Sequence, residues 1–262
     1  MMNRKRGAVL ILIVCLVVVI GVPCSWRLRR EVQHERLNRQ LIAAIRRNDS
    51  GAALAALEQG ADGNARQEQD LPLWRMAWNL VRGHSSASSD APTALLLVLE
   101  YEDAENHTTL PHENMPLLRA LLAHGAQVNA GDKDGFTPLL LSLMTVKRAT
   151  TRLLLQNGAN VNASPEQEYS PLAVASAIGT QDDNEDIIET MLQHGANPNE
   201  TQTNYSTPLW AALTFGRPDR VRLLLRYHAV PNAQMLVYAE KYIKYPGMRE
   251  IAQILREAGV KK

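Results

Sequence analysis

Cysteine is almost missing from this sequence. Only Cys15 and Cys24 occur, both close to the N-terminus. The remainder cannot hold a disulfide framework, and Cys/His metal sites of the zinc-finger kind are excluded. Phenylalanine is scarce as well, while Leu and Ala are abundant, which leans helical. An excess of either charge is also lacking. Setting aside the three cations Arg4, Lys5 and Arg6 turns the net charge of +1 into −2, which gives no case for a nucleic-acid partner. Reaction signatures are absent too: there is no G-x-S-x-G, no phosphate-cradling glycine loop and no H-E-x-x-H. His107 and His112 flank "TTLP" beside Glu113 at no known ligand spacing, and His124 and His194 read as surface positions. No catalytic residue, metal ligand or cofactor is singled out, and the chain does not read as an enzyme. Hydrophobic residues make up 45%, enough for a packed core in one large domain or two small ones.

What is present begins with "MMNRKRGAVLILIVCLVVVIGVPCSW". A short basic start precedes Ala8 to Val22, which carry no polar side chain other than the thiol of Cys15. This is the layout of a secretory signal, and the uncharged stretch from Gly7 to Trp26 is also long enough to span a bilayer as a helix. Three readings compete over 1–26. One is an uncleaved anchor, which needs only length and apolarity. Another is lipidation at Cys24, although Pro23 directly before it fits poorly. The third is cleavage before Ser25, although nothing reads A-x-A. Arg4, Lys5 and Arg6 favour an N-terminus kept inside, which sends the following domain across the membrane, while Arg27, Arg29 and Arg30 pull the other way. The expectation is a membrane-held domain facing the periplasm, with residues 27–35 as a short tether.

Beyond this the sequence repeats. "LLAHGAQVNA", "LLQNGANVNA", "MLQHGANPNE" and "LLRYHAVPNA" are versions of one phrase, and "ALEQGADGNA" is a weaker copy. Asn129, Asn162, Asn199 and Asn232 close the four phrases at a nearly constant interval, slightly stretched between Asn162 and Asn199. A second phrase, "FTPLLLSL", "YSPLAVAS" and "STPLWAAL", recurs in the same register. A fixed period in this range marks one supersecondary unit stacked along an axis. Thr137, Ser170 and Thr207 are expected to cap a first helix through their hydroxyls, with proline at the first helical position. Leu139, Leu172 and Leu209 then point inward. A second helix is expected to end at Gly125, Gly158 and Gly195, where glycine tolerates the left-handed conformation.

These residues resemble the ankyrin repeat, in which T-P-L opens helix one and L-L-x-x-G-A-x-x-N closes helix two. The resemblance covers about 36–262. It implies an all-α solenoid of helix-turn-helix units with projecting hairpin loops, a protein-binding role and no catalytic residues. Units are expected at about 36–66, 67–131, 132–164, 165–201 and 202–234, with a C-terminal cap at 235–262. The second unit is irregular. "LPLWRMAWNL" lines up with T-P-L, with Leu71 in place of threonine, yet Pro72 and Pro138 stand two full periods apart. An insertion at 83–114 between its two helices is the favoured explanation, with a degraded full repeat as the other.

In this architecture loop tips and the exposed face of the first helix line a concave surface. Trp78, Phe136, Met144, Tyr169 and Phe215 recur where the repeat's own packing does not require large groups, and such residues are enriched at interface cores. Asp132, Lys133, Asp134, Glu166, Gln167, Glu168 and Asn204 are candidates for a polar rim. Trp74 and Trp210 sit at a half-buried position and are expected to pack in the core. The expected partner is a protein, with the chain itself a monomer or one half of a heterodimer. Small exported ankyrin proteins resemble two kinds of binder. One is the immunity protein that neutralises a secreted toxin, such as a phospholipase effector of type VI secretion. The other is a membrane-anchored scaffold or protector of a periplasmic enzyme such as a catalase.

Overall fold

The computed structural model describes residues 30–66, 91–101, 113–163, 170–178, 185–201 and 207–261. Twelve helices occur among the described residues. They are α1 (30–46), α2 (Ser50–Glu58), α3 (Ala94–Tyr101), α4 (Met115–Ala123), α5 (Pro138–Met144), α6 (Arg148–Gln156), α7 (Pro171–Ala177), α8 (Glu185–Gln193), α9 (Pro208–Thr214), α10 (Pro218–Arg226), α11 (Ala233–Lys241) and α12 (Met248–Glu257). No strand is present among these residues; Arg66 and Thr93 form one isolated antiparallel bridge.

The helices stack in two rows. Helices α3, α5, α7, α9 and α11 pack in sequence as one layer, and α2, α4, α6, α8, α10 and α12 as the other. One continuous apolar core runs between the rows, from Leu37 and Leu41 to Ile254 and Leu255. Leu139, Leu172 and Leu209 are buried in it, as their register requires. Among the described residues, no helix is long and apolar enough to cross a membrane. The apolar segment expected at 1–26, including Cys24, lies outside the described residues.

Local chemistry explains most helix boundaries. The Thr137 hydroxyl accepts from the Leu140 amide at 3.3 Å, and Thr207 does the same for Trp210 at 3.2 Å. Ser170 takes the N-cap place of α7 but makes no side-chain cap bond, so the expected role of its hydroxyl fails there. Gly125, Gly158 and Gly195 adopt φ of 82°, 81° and 84° at the ends of α4, α6 and α8. In the next unit His228 occupies that place with φ 66°.

Two expectations are corrected. Residues 30–35, expected as part of a tether, belong to α1, with the first buried side chain of the helix at Leu37. The first helix of the second unit is α3, inside the stretch expected to be an insertion. It packs on α5 and α4 as first helices do, and Thr93 caps it by accepting from the Leu96 amide at 3.4 Å. The doubled interval comes from two additions, one on each side of α3. Thr137, Ser170 and Thr207 follow closely on Asn129, Asn162 and Asn199 at one constant spacing, whereas Thr93 stands far beyond Asn64. The stretch from Thr93 to Gly125 is also longer than the matching stretch from Thr137 to Gly158. The base of the first addition is closed by the Ala94 amide on the Ala65 carbonyl at 2.8 Å and by Arg66 Nη1 on the Ala91 carbonyl at 2.7 Å. The "LPLWRMAWNL" stretch lies outside the described residues.

Polar side chains join successive units. Asn64, Asn129, Asn162 and Asn199 each donate to the carbonyl that ends the next second helix, at Gly125, Gly158, Gly195 and His228. Each also accepts a backbone amide just beyond that carbonyl, at Gln127, Asn160, Asn197 and Val230. At the first unit the equivalent amide, of Asp62, is taken by Asn38 of α1. At the last, Asn232 caps α11 instead, accepting from Met235 at 3.0 Å.

Two buried cations fix the other end of the first-helix row. Lys147, 0% exposed, donates from Nζ to the Leu99 carbonyl of α3 at 2.9 Å. Arg220, 1% exposed, donates from Nη1 to the Ser176 and Ile178 carbonyls at 3.1 and 2.8 Å. Helix C-termini leave unpaired carbonyls and carry partial negative charge, so a cation there meets both needs. Glu113 does the converse. Its carboxylate accepts from the Ala149 and Thr150 amides, at the N-terminus of α6.

Candidate protein-binding surface

Of the expected binding residues that the structure describes, Asp132, Lys133, Asp134 and Phe136 share one loop, Met144 ends α5, and Phe215 lines a groove that the others do not line. Phe136 is half-buried and packs against the core, so its ring is partly spent on the fold. Its amide donates to Asp132 Oδ1 at 2.8 Å, and the Asp134 amide donates to the same oxygen at 2.9 Å. Asp132 therefore shapes the loop tip from within. Lys133 and Asp134 are exposed and face each other at 3.9 Å. Met144 is exposed at the end of α5. Trp78, Tyr169, Glu166, Gln167, Glu168 and Asn204 lie outside the described residues, as do Trp74, His107 and His112.

Phe215 is placed differently. It is 59% exposed at the end of α9 and lines an open groove of about 470 Å³. The groove runs between the α9–α10 turn and the last unit, with Arg217, Tyr238, Tyr242, Tyr245 and Met248 among its walls. Phe136 and Met144 do not line it.

An aromatic row leads into this groove. Trp210 of α9 lies 5.4 Å from Tyr238 of α11, centroid to centroid; Tyr238 lies 4.5 Å from Tyr242, and Tyr242 lies 6.0 Å from Tyr245. Trp210 packs partly against the core, as expected, and also starts this row. Lys241 Nζ sits 5.4 Å from the Tyr242 ring centroid, and Lys244 Nζ the same distance from that of Tyr245. The floor includes Gly216 (φ 64°), which packs closely against Gly247 (φ 77°) of the next turn. A Cβ on Gly216 would meet the Pro246 carbonyl oxygen at 2.7 Å, and one on Gly247 would collide with the Gly216 carbonyl oxygen. Side chains at either position would push the two turns apart.

Sequence reasoning missed Tyr238, Tyr242, Tyr245 and their lysines. The signal was there: "YAEKYIKY" puts tyrosines at i, i+4 and i+7, the spacing of one helix face.

The opposite, second-helix row carries ionic links. Arg152 and Arg148 both bond the Asp186 carboxylate, Arg152 Nε at 2.9 Å and Arg148 Nη2 at 3.1 Å. Two units on, Arg222 bonds Glu250 at 2.6 Å from the same register position. Burial raises the Asp186 carboxyl, but the two guanidinium groups outweigh it and hold the carboxyl below its ordinary value. Among the described residues, no group of three or more His, Cys, Asp or Glu is placed to hold a metal ion.

Family comparison agrees with this architecture. Residues 107–201 match a family model described as ankyrin repeats in three copies, and residues 204–235 match the single ankyrin repeat. The chain is an ankyrin-repeat protein. A search of the curated proteins finds no match. The two matches start after α3, so α1, α2 and α3 lie outside them. Ankyrin repeats indicate a protein–protein interaction module.

Proposed function

We propose that this ankyrin-repeat protein is a non-catalytic module that binds a partner protein and occludes it, held at a membrane by its N-terminal segment with the repeats facing the periplasm. The observation that carries the reading is the Phe215–Tyr245 groove: exposed aromatic side chains, a cationic rim and a floor fixed by glycine contacts. Aromatic anchors in a preformed concavity are what tight protein recognition needs. The basic and apolar leader supports the membrane placement. A stoichiometric blocker fits an immunity role, in which the partner is a secreted toxin such as a phospholipase.

Co-purification of the full chain with the product of the adjacent gene tests this. A one-to-one complex, with cells lacking the chain becoming sensitive to that product, is the expected result. No complex and unchanged sensitivity would remove the immunity role.

A further inference from the structure

We propose that the Phe215–Tyr245 groove takes an extended acidic segment of a protein partner, with an aromatic or aliphatic side chain next to Asp or Glu. This rests on the protein-binding reading and specifies its chemistry. The groove walls contain no acidic residue, while Arg217 belongs to them and Lys241 and Lys244 stand over the tyrosine rings at its edge. The nearby acid of α11, Glu240, is bonded to Arg256 at 2.6 Å. Helices α5, α7 and α9, which continue the same row, carry no charged residue of either sign. The groove itself therefore presents cations and no acidic wall to an approaching chain, and complementary charge steers and selects partners. Tyrosine faces accept an apolar side chain with little loss of side-chain freedom, and the lysines pair with the flanking carboxylates. The glycine-set floor means the groove exists before the partner arrives, which lowers the ordering cost of binding.

Selection of a random-peptide phage library on the full chain in detergent micelles tests the assignment. Recovered peptides are expected to share Asp or Glu beside Trp, Phe or Leu. Their affinity is expected to fall about tenfold on Tyr242→Ser, and about tenfold on combined Lys241→Glu and Lys244→Glu, with thermal melting unchanged in the lysine variant. Peptides without acids, acidic peptides that bind both variants undiminished, or no enrichment would overturn it. So would groove-dependent self-association, or groove-dependent binding to phosphatidylglycerol vesicles in place of peptides. Should peptides enrich but cross-link elsewhere on the chain, this assignment fails while the protein-binding reading stands. Should neither peptide nor protein bind anywhere, both fail.

Discussion

The Asn162 carboxamide donates to the Gly195 carbonyl at 3.0 Å and accepts the Asn197 amide at 3.0 Å. One side chain thus satisfies the end of a helix that belongs to the following unit. The same arrangement at Asn64, Asn129 and Asn199 makes a ladder that couples each unit to the next. In a repeat stack, such nearest-neighbour links decide whether the array melts as one.

Asn162→Ala is therefore expected to remove about 1–2 kcal/mol from the coupling between its unit and the next. Urea unfolding followed by circular dichroism should change from one transition to two, with a lowered overall slope. A single transition of unchanged slope would show that apolar packing alone couples the units.

Arg220→Met removes the guanidinium donor from the buried Ser176 carbonyl and the part-buried Ile178 carbonyl. Stranding buried acceptors is expected to destabilise by about 2–3 kcal/mol. Arg222→Met, on the exposed face of the same helix, should change stability by less than about 1 kcal/mol. Thermal denaturation of the two variants side by side checks the contrast.

Val146 is held at φ 57°, a region that branched side chains avoid. The matching position after α9 is Gly216. Val146→Gly releases backbone strain while giving up little packing, since the side chain is 41% exposed. After the entropy that glycine loses on folding, a net gain of up to about 1 kcal/mol is expected, read as a higher midpoint of unfolding.

The Asp186 link gives a pH signature. Because its folded pKa is depressed, its contribution is present above the unfolded value of about 3.9 and fades as pH falls through the lower folded value. The carboxylate and Arg152 are about half exposed, so solvent screening keeps the contribution below about 1 kcal/mol. Asp186→Asn should lower stability at neutral pH, less in high salt, and not at all once the pH is below both values. Equilibrium unfolding at neutral and strongly acidic pH tests the sign.

The sequence makes some of this visible and hides the rest for physical reasons. Thr137–Pro138–Leu139 and Thr207–Pro208–Leu209 announce first helices because cap, proline and core residue act locally. Thr93–Ala94–Leu95 makes the same helix start without the proline, and additions on both sides break its register, so α3 reads as part of an insertion. Recurring asparagines are plain to see, but their acceptors lie far along the chain and belong to the next unit's backbone. At the proposed binding surface, Phe215 is legible from its register. Tyr238, Tyr242 and Tyr245 fall in the last unit, where the phrase stops repeating, and only their helical spacing marks them. Phe136 stands where the repeat's own packing does not require a large group, yet it is partly buried against the core.

The central proposal is that the groove side of the repeats meets a protein. Photo-crosslinking in living cells, with benzoylphenylalanine placed at position 215 and, separately, at the exposed position 156 of the second-helix row, tests it most directly. A single partner-protein adduct at 215, absent at 156, is the predicted result. Adducts to lipid alone at 215, or equal adducts at both positions, would contradict it.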